Sequence, residues 1–371
     1  SQMNDKFNTE NEDNMEKEKK SKIKKILVNL TIFILLIILT FSLVLKDQDV
    51  SQIFSVAAKV KKQYILFAVL AMSIYILGEA VNITRILKEL GEKSKLISNI
   101  RYTLIGFFFS AITPAASGGQ PMEIYYMHKD DISVANSTLA LLMQLCSLQI
   151  VTITVGTISA VLHFEVLKSG LIYLLILGIL LNSSALMLLI IAIFSKKLSE
   201  GLIKFAVKLL KFFRIPNVEK KQEKLEKELE SYQTSARYIK EHKILMLKTV
   251  ITTVVQMIAY YSVPYWIYLA FGLTEYNIFE ILTLQAVLYA TVSGIPSPGA
   301  VGVSEGGFLG IFKNVFPETI ISSAMLLTRS ANFYLFIIIS AIIVMISTFR
   351  EKRIEKKQMQ ETEVLTEKSE K

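Results

Sequence analysis

Four ionisable residues lie within long apolar stretches of the chain: Glu79, Glu123, Glu305 and Arg329. A charged side chain in an apolar membrane segment is costly, so such residues are functional candidates by default. The carboxylates of Glu123 and Glu305 are suited to bind a cationic head group with an ammonium, and Arg329 could balance the acids. The structural alternatives are helix capping for Glu123 and Glu305 and an internal ion pair for Glu79 and Arg329.

Glu123 and Glu305 each end a stretch rich in Pro, Gly and Ser that starts at a serine. Pro121 fits the first position of a new helix, where a missing N–H costs nothing, and Ser304 fits an N-cap. The N-terminus of such a half-helix offers free N–H groups that suit a phosphate. Non-helical backbone at membrane depth must line a cavity or be buried in protein, so we expect both breaks to line a polar cavity.

The elements that must position these residues are apolar helices. Of the 41 Lys and Arg and 32 Asp and Glu residues among 371, 47 lie in residues 1–25, 196–248 and 349–371, and the rest of the chain is poor in charge. This distribution excludes an ordinary soluble enzyme and predicts an all-α integral membrane protein. Six runs have the length of a full span: Ile26–Leu45, Tyr64–Leu87, Ser133–Leu162, Gly170–Phe194, Ile244–Gly272 and Ile321–Phe349.

Lysine and arginine counts predict the orientation. The two tails carry 7 each and the loop 196–248 carries 14, whereas 163–170 has one and 273–280 has none. By the positive-inside rule, both termini and the central loop are cytoplasmic. The interrupted segments 102–127 and 281–315 must then each begin and end on one side of the membrane, as re-entrant helix hairpins.

This order of spans and hairpins is an inverted repeat, on which many transporters build a site at mid-membrane. The expected domains are a disordered tail (1–21), repeat 1 (22–162), repeat 2 (163–348) with an amphipathic cytoplasmic insert (196–243), and a second tail (349–371). In the insert, Lys204, Lys208 and Lys211 share one helical face, the pattern of a helix in an anionic interface. A short heptad seam from Val218 to Ile239 predicts packing on the body of the chain or in a homodimer.

Several chemistries are not expected. Gly302-Val-Ser-Glu-Gly306 matches the G-x-S-x-G nucleophile elbow, but that motif needs a strand-to-helix turn and a nearby histidine base, and no histidine follows His242. One cysteine and three histidines make a metal or haem centre improbable, and no nucleotide-binding motif is found, so no cofactor is expected. The net charge of +9 comes from lysines that flank the spans, which indicates contact with anionic lipid and no nucleic-acid partner.

Two motifs carry a resemblance. Gly118-Gly119-Gln120-Pro121, together with the run from Pro296 to Gly307 (PSPGAVGVSEGG), resembles the lysylphosphatidylglycerol synthase transmembrane region family over roughly residues 22–350. That family includes the flippase half of the bacterial multiple peptide resistance factor. The resemblance implies substrate-binding roles for the motif residues Gly118, Gly119, Gln120, Pro121, Glu123, Pro296, Pro298, Gly299, Gly302, Glu305 and Gly306, to which the residue chemistry adds Ser304, Arg329 and Glu79.

The resemblance implies a flippase-like lipid translocase of the bacterial cytoplasmic membrane, which moves a phospholipid such as lysyl-phosphatidylglycerol and protects the envelope from cationic peptides. Only 22 residues follow Phe349, so we expect no synthase domain here and a separate synthase protein as a possible partner. The rival interpretations are a phosphatidylglycerol lysyltransferase, which is the activity in the family name, an ion-coupled small-solute transporter, and a membrane-anchored scaffold.

Overall fold

The computed structural model describes residues 50–164, 171–212, 218–295 and 297–350, together with six helical positions between residues 27 and 38. Within these ranges the chain is helical and no strand is found. Most of the predicted first span Ile26–Leu45 lies outside the described residues, as do the tail 1–21, most of the tail 349–371, and Pro296.

The helices are α1 (Val50–Ala58), α2 (Lys62–Glu89), α3 (Leu96–Ile112), α4 (Gly119–Lys129), α5 (Val134–Leu162), α6 (Leu171–Phe194), α7 (Lys196–Phe212), α8 (Val218–Glu241), α9 (Lys243–Tyr261), α10 (Val263–Ala270), α11 (Ile278–Val292), α12 (Val303–Ile311) and α13 (Ile321–Arg350). Five units are long and apolar enough to cross a membrane: α2, α5, α6, α9 with α10, and α13. They coincide with five of the six predicted spans. The all-helical, multi-pass membrane class is therefore confirmed.

The outer surface of α6 shows how such a helix meets lipid. Tyr173 is 77% exposed, Met187 64% and Leu188 65%, although all three are large apolar side chains. In water this surface would be unfavourable, because each buried Å² of apolar area is worth about 25 cal/mol. Within a bilayer the same surface contacts acyl chains at no such cost.

Both interrupted segments have the same local structure. A 3₁₀ turn at Pro114–Ala116 separates α3 from α4, and one at Pro298–Ala300 separates α11 from α12. The residue before each proline has the same backbone angles, φ −117° and ψ 145°. Two residues after each proline the backbone is left-handed, with φ 54° at Ala116 and φ 52° at Ala300. A non-glycine residue in this region is uncommon, so the match is not a general property of Pro-rich turns.

The ends of each interrupted segment lie side by side. Asp130, just after α4, pairs with Arg101 and accepts a hydrogen bond from the Tyr102 hydroxyl at the start of α3. In the second segment, the Tyr276 hydroxyl before α11 donates to the Asn314 carbonyl after α12 at 3.0 Å. Each segment is thus a helical hairpin whose 3₁₀ turn is its tip, and the two tips contact each other.

The hairpins are held between packed spans. α2 packs along α9 and α10, α5 packs on α6 and α11, and α4 packs on α3 and α5. A buried polar network joins α2, α5 and α9: the Asn82 amide donates to Gln144 at 2.8 Å and to Thr253 at 3.0 Å, and Gln144 donates to Gln256 at 3.1 Å. Because unpaired amides are costly without water, this network fixes the register of the three helices.

The central insert contacts the body of its own chain. Ala236 and Ile239 of the predicted seam on α8 are buried in the main apolar cluster. Two residues of α8 form hydrogen bonds with the start of α5. Glu228 accepts from the Ala135 backbone N–H at 3.0 Å, and the Ser235 hydroxyl donates to Asn136 Oδ1 at 2.7 Å. The seam therefore packs on the body along this part of α8, one of the two arrangements that its pattern predicts.

Candidate functional site

Two adjoining cavities lie where the hairpin tips meet. The larger, of about 650 Å³, is bounded by α2, α3, α4, α5, α6 and α11. The smaller, of about 280 Å³, lies between the two tips and reaches α13. Their shared lining is Tyr75, Phe107, Ser110, Ala116, Tyr289 and Ser293.

The larger cavity contains two carboxylates. Glu79 of α2 is half-buried at its wall, and Glu123 of α4 is only 2% exposed. Both line this one cavity. Neither forms a salt bridge with any residue that the structure describes, and Oε2 of Glu123 has no hydrogen-bond partner there. At low dielectric, a carboxyl group without a protein cation is stabilised by a proton or by a bound cation, so this pair can accept a cationic group.

The position of Glu123 depends on a glycine in the facing helix. A Cβ atom on Gly106 of α3 would lie 2.0 Å from Oε1 of Glu123 and 2.7 Å from its Cγ. Any other residue at position 106 would therefore displace this carboxylate. Gly106 is thus the packing partner that lets the acid lie against the α3 backbone.

The remaining walls of the larger cavity divide into a polar and an apolar part. Polar groups surround the acids, and the buried Gln149 Oε1 is a further acceptor without a partner among the described residues. The apolar wall comes from leucines of α5 and α6, and Leu188 of α6 lies both at this wall and on the outer surface. The polar lining residues include Gln120, Gln144, Gln149, Thr152 and Asn182, and the leucines are Leu141, Leu145, Leu148, Leu188 and Leu189. The cavity thus joins a polar chamber to the lipid-facing surface.

Glu305 is fully engaged within the protein. Its side chain is buried, and Oε1 accepts from Arg329 Nε at 2.7 Å and from the Tyr334 hydroxyl at 3.0 Å. Oε2 accepts from the Gly302 backbone at 2.7 Å. This carboxylate therefore closes the N-terminus of α12 and neutralises the arginine, which are the two structural roles considered for the buried charges.

Arg329 connects this ion pair with the smaller cavity. Its Nη2 donates to the Gly299 carbonyl at 3.2 Å, and its guanidinium lies 4.1 Å from the ring centre of Phe333. A π-helical turn, Ser330–Tyr334, follows directly and brings Phe333 and Tyr334 round to the arginine. Such wide turns are frequent at functional sites. Arg329 thus lines the smaller cavity between the tips while it is paired with Glu305.

The starts of the two half-helices differ from the prediction. α4 begins at Gly119, so Pro121 is its third residue, still within the first turn, where no N–H is needed. Glu123 lies beyond that first turn and does not cap the helix. In α12 the N-cap is Gly302, with φ 87°, and Ser304 is the second helical residue. A left-handed backbone at this cap is available to glycine, which explains why Gly302 takes the position expected for Ser304.

The other predicted residues cluster at the tips. The Gly118 N–H donates to Thr113 Oγ1 at 2.9 Å, and a Cβ on Gly119 would lie 2.0 Å from Ser110 Oγ. A Cβ on Gly299 would lie 2.2 Å from the Phe333 ring. Gln120 lines the larger cavity, and Gly299 and Ser304 line the smaller one. Pro121 and Gly306 are exposed, and Pro298 is half-buried. Pro296 lies outside the described residues.

Several lining residues were not found from the sequence. Tyr75 and Tyr289 border both cavities, and Gln149 and Asn182 lie in the polar chamber. Gln149 and Asn182 each interrupt an apolar run, which is a usable signal because polar residues in spans are uncommon. Tyrosines are frequent in membrane segments, so nothing in the sequence distinguishes Tyr75 and Tyr289 from the others.

The fold and the cavities define a multi-pass α-helical membrane protein with a polar chamber between two broken helical segments. The chain belongs to the family described as Lysylphosphatidylglycerol synthase TM region, which it matches over residues 26–340. This match confirms the family that the two motifs indicate, and it connects the chain with membrane lipids. No curated protein matches the chain.

Proposed function

We propose that the protein is a flippase-like lipid translocase, which moves a phospholipid with a cationic head group, such as lysyl-phosphatidylglycerol, between the leaflets of the bacterial cytoplasmic membrane. Family membership supports a lipid as the substrate. Translocation breaks no covalent bond, so the proposal needs no cofactor. In this proposal a separate synthase supplies the lipid, and both termini and the insert are cytoplasmic, as the lysine distribution predicts.

The observation that carries the proposal is the uncompensated acid pair in the larger cavity. Glu79 and Glu123 offer two carboxyl groups without a protein cation among the described residues, and Oε2 of Glu123 has no hydrogen-bond partner there. A lysyl head group carries ammonium groups that satisfy both carboxylates. The leucine wall that reaches the outer surface of α6 gives the acyl chains a path that never leaves lipid.

The sequence-based hypothesis assigned the ammonium contact to Glu123 and Glu305. In the present proposal Glu79 replaces Glu305 in that role, because Glu305 already accepts hydrogen bonds on both oxygens. Arg329 borders the smaller cavity and pairs there with Glu305, so its role in the proposal is to balance that acid. In the proposal, the motif glycines and prolines set the backbone conformation of the two tips, and the substrate contacts the surface that this conformation forms.

We further propose that the hairpins are re-entrant and related by an inverted repeat, with repeats 22–162 and 163–348. Support comes from the equal backbone angles at the two tips and from the adjacent ends of each hairpin. The packing of α2 on α9 at the centre, with the tips in contact, also fits a two-fold relation. An exchange of packing between the two repeats would open the chamber to one leaflet and then to the other.

A reconstituted transport assay tests the proposal. The chain is placed in liposomes with a fluorescent lysyl-lipid, and the fraction that an added quencher can reach is followed over time. Glu79→Gln and Glu123→Gln remove charge at constant volume, so we expect each to slow exchange at least 10-fold, the equivalent of about 1.4 kcal/mol. Glu275→Gln is the matched control, because Glu275 is exposed and lines neither cavity.

Wild-type exchange rates in both chamber variants would contradict the proposal. The same liposomes separate the rival functions. Exchange that requires an imposed ion gradient and extends to water-soluble amines would indicate a solute carrier. Appearance of new lysyl-lipid by mass spectrometry, in cells that express this chain alone, would indicate a lysyltransferase.

A further inference from the structure

Another pocket, separate from the two cavities at the hairpin tips, lies where the insert joins the membrane body. It has a volume of about 200 Å³ and is formed by the end of α6, the start of α7 and the last three turns of α8. Its lining contains three basic side chains, Lys196, Arg237 and Lys240. We call it the basic pocket.

The basic groups in this pocket are poorly compensated. Lys196 has one carboxylate nearby, Glu200, at 3.8 Å in an exposed pair. Within the described ranges, no carboxylate lies within salt-bridge distance of Arg237 or Lys240. Exposed pairs such as Lys196 with Glu200 are weak. The pocket therefore has a net positive charge and favours an anion.

Hydroxyl and amide groups lie among these charges in a fixed arrangement. The Tyr232 hydroxyl donates to the Ala192 carbonyl of α6 at 2.9 Å, and Gln233 donates to Ser199 Oγ at 3.2 Å. Burial raises the pKa of Tyr232 to about 12, so its hydroxyl stays protonated at neutral pH. These bonds hold α8 against the junction of α6 and α7. The pocket walls are thus positioned by hydrogen bonds and not only by flexible lysines.

The pocket lies at the end of a candidate span, a position that favours contact with lipid head groups. α6 is a candidate span that ends at Phe194, so the lining residues Ser195 and Lys196 follow its membrane-crossing part directly. On α7, Phe205 is 60% exposed beside exposed lysines, as in a helix that lies in the interface. Basic pockets at this level between helices are suited to anionic lipid head groups.

We infer that the basic pocket binds the phosphate of an anionic phospholipid, with Arg237 and Lys240 as its main ligands. The lipid would lie with its head group between α6 and α8 and its chains along α6. Bound there, it would strengthen the attachment of the insert to the helix that walls the chamber. This inference does not depend on the proposed transport activity, because it concerns a different site.

A thermal-stability titration tests the inference. The purified full chain in a neutral detergent is titrated with short-chain phosphatidylglycerol, with phosphatidylcholine of the same chain length, and with inorganic phosphate. We expect a saturable rise in melting temperature with phosphatidylglycerol that exceeds the rise with phosphatidylcholine. In the variant Arg237→Gln with Lys240→Gln, the apparent affinity for phosphatidylglycerol should fall roughly 30-fold, since each basic residue near anionic lipid is worth about 1 kcal/mol.

The control variant is Lys221→Gln with Lys224→Gln, which removes the same charge from the same helix away from the pocket. It should keep the wild-type response. An equal loss in both double variants would overturn the site and leave only a general charge effect. Equal responses to the two phospholipids would also overturn it, and an inorganic-phosphate response as large as that to phosphatidylglycerol would overturn the lipid assignment.

Discussion

Replacement of Arg329 by glutamine tests whether the Glu305–Arg329 pair holds the second hairpin. The change removes the bond from Nε to Oε1 at 2.7 Å and the contact of the guanidinium with the Phe333 ring at 4.1 Å. It leaves Glu305 buried, with the Tyr334 hydroxyl and the Gly302 backbone as its remaining donors. The Glu305 side chain is then buried without its cation.

The expected magnitude follows from these contacts. A hydrogen bond to a charged group contributes about 1.5–3 kcal/mol, and a desolvated cation–π contact about 2 kcal/mol. Removal of one partner from a buried ion pair generally costs about 3–5 kcal/mol. We therefore expect Arg329→Gln to lower the free energy of unfolding by about 3–5 kcal/mol.

The assay is reversible unfolding in mixed micelles, followed by circular dichroism, on the two single variants and the double variant Glu305→Gln with Arg329→Gln. The double variant should be at least as stable as Arg329→Gln alone, because the second change removes the orphaned charge. Lys227→Gln is the control, since Lys227 forms a 2.8 Å pair with Glu223 while 73% exposed. That variant should show no measurable loss.

Two results would refute this reasoning. One is a loss below about 1 kcal/mol for Arg329→Gln, which is the range of an exposed pair. The other is a double variant whose loss equals the sum of the two single losses, since partners in one buried pair are not additive.

Two further predictions concern packing. Gly106→Ala should slow lipid exchange about as much as Glu123→Gln while the chain still folds, because the new Cβ would lie 2.0 Å from Oε1 of Glu123. The control is Gly201→Ala, whose new Cβ has no atom within 4 Å, and this variant should exchange lipid at the wild-type rate. Equal exchange rates in the two variants would contradict the proposed role of Gly106. Tyr232→Phe should weaken the attachment of the insert by about 1 kcal/mol, because the Ala192 carbonyl loses its hydrogen-bond donor. Amide hydrogen exchange in α8 measures this loss and should become faster. Unchanged amide exchange would show that this bond does not hold the insert.

The spans and the hairpin tips could be predicted because their signals are local. The length of an apolar run decides whether a helix can cross the bilayer, and five of the six predicted runs form helices that are long and apolar enough to do so in the described residues. Clusters of proline and glycine interrupt a helix, so the breaks near Pro114 and Pro298 are visible in the sequence. Re-entry of the hairpins and the inverted repeat remain predictions, since they depend on where the membrane lies.

The details of the tips could not be predicted with the same accuracy. Serine is a better N-cap than glycine by side-chain chemistry, yet Gly302 caps α12 because the chain enters this helix with a positive φ. A proline is tolerated at any position of the first helical turn, because the N–H groups of that turn have no partner within the helix. The presence of Pro121 therefore does not determine where α4 begins. Backbone geometry imposed by the tip decided both.

The sequence by itself determined that this protein is an α-helical membrane protein of its family, with four ionisable residues in its apolar segments, because hydrophobic length, charge distribution and motif residues are properties of the linear chain. Only the tertiary structure decided which of those charges are neutralised. Glu305 meets an arginine 24 positions away, whereas Glu123 lies against Gly106 with an unpaired oxygen. The physical reason is that a carboxylate is compensated by whatever distant helix packs against it, and that packing depends on contacts between segments that no local pattern encodes.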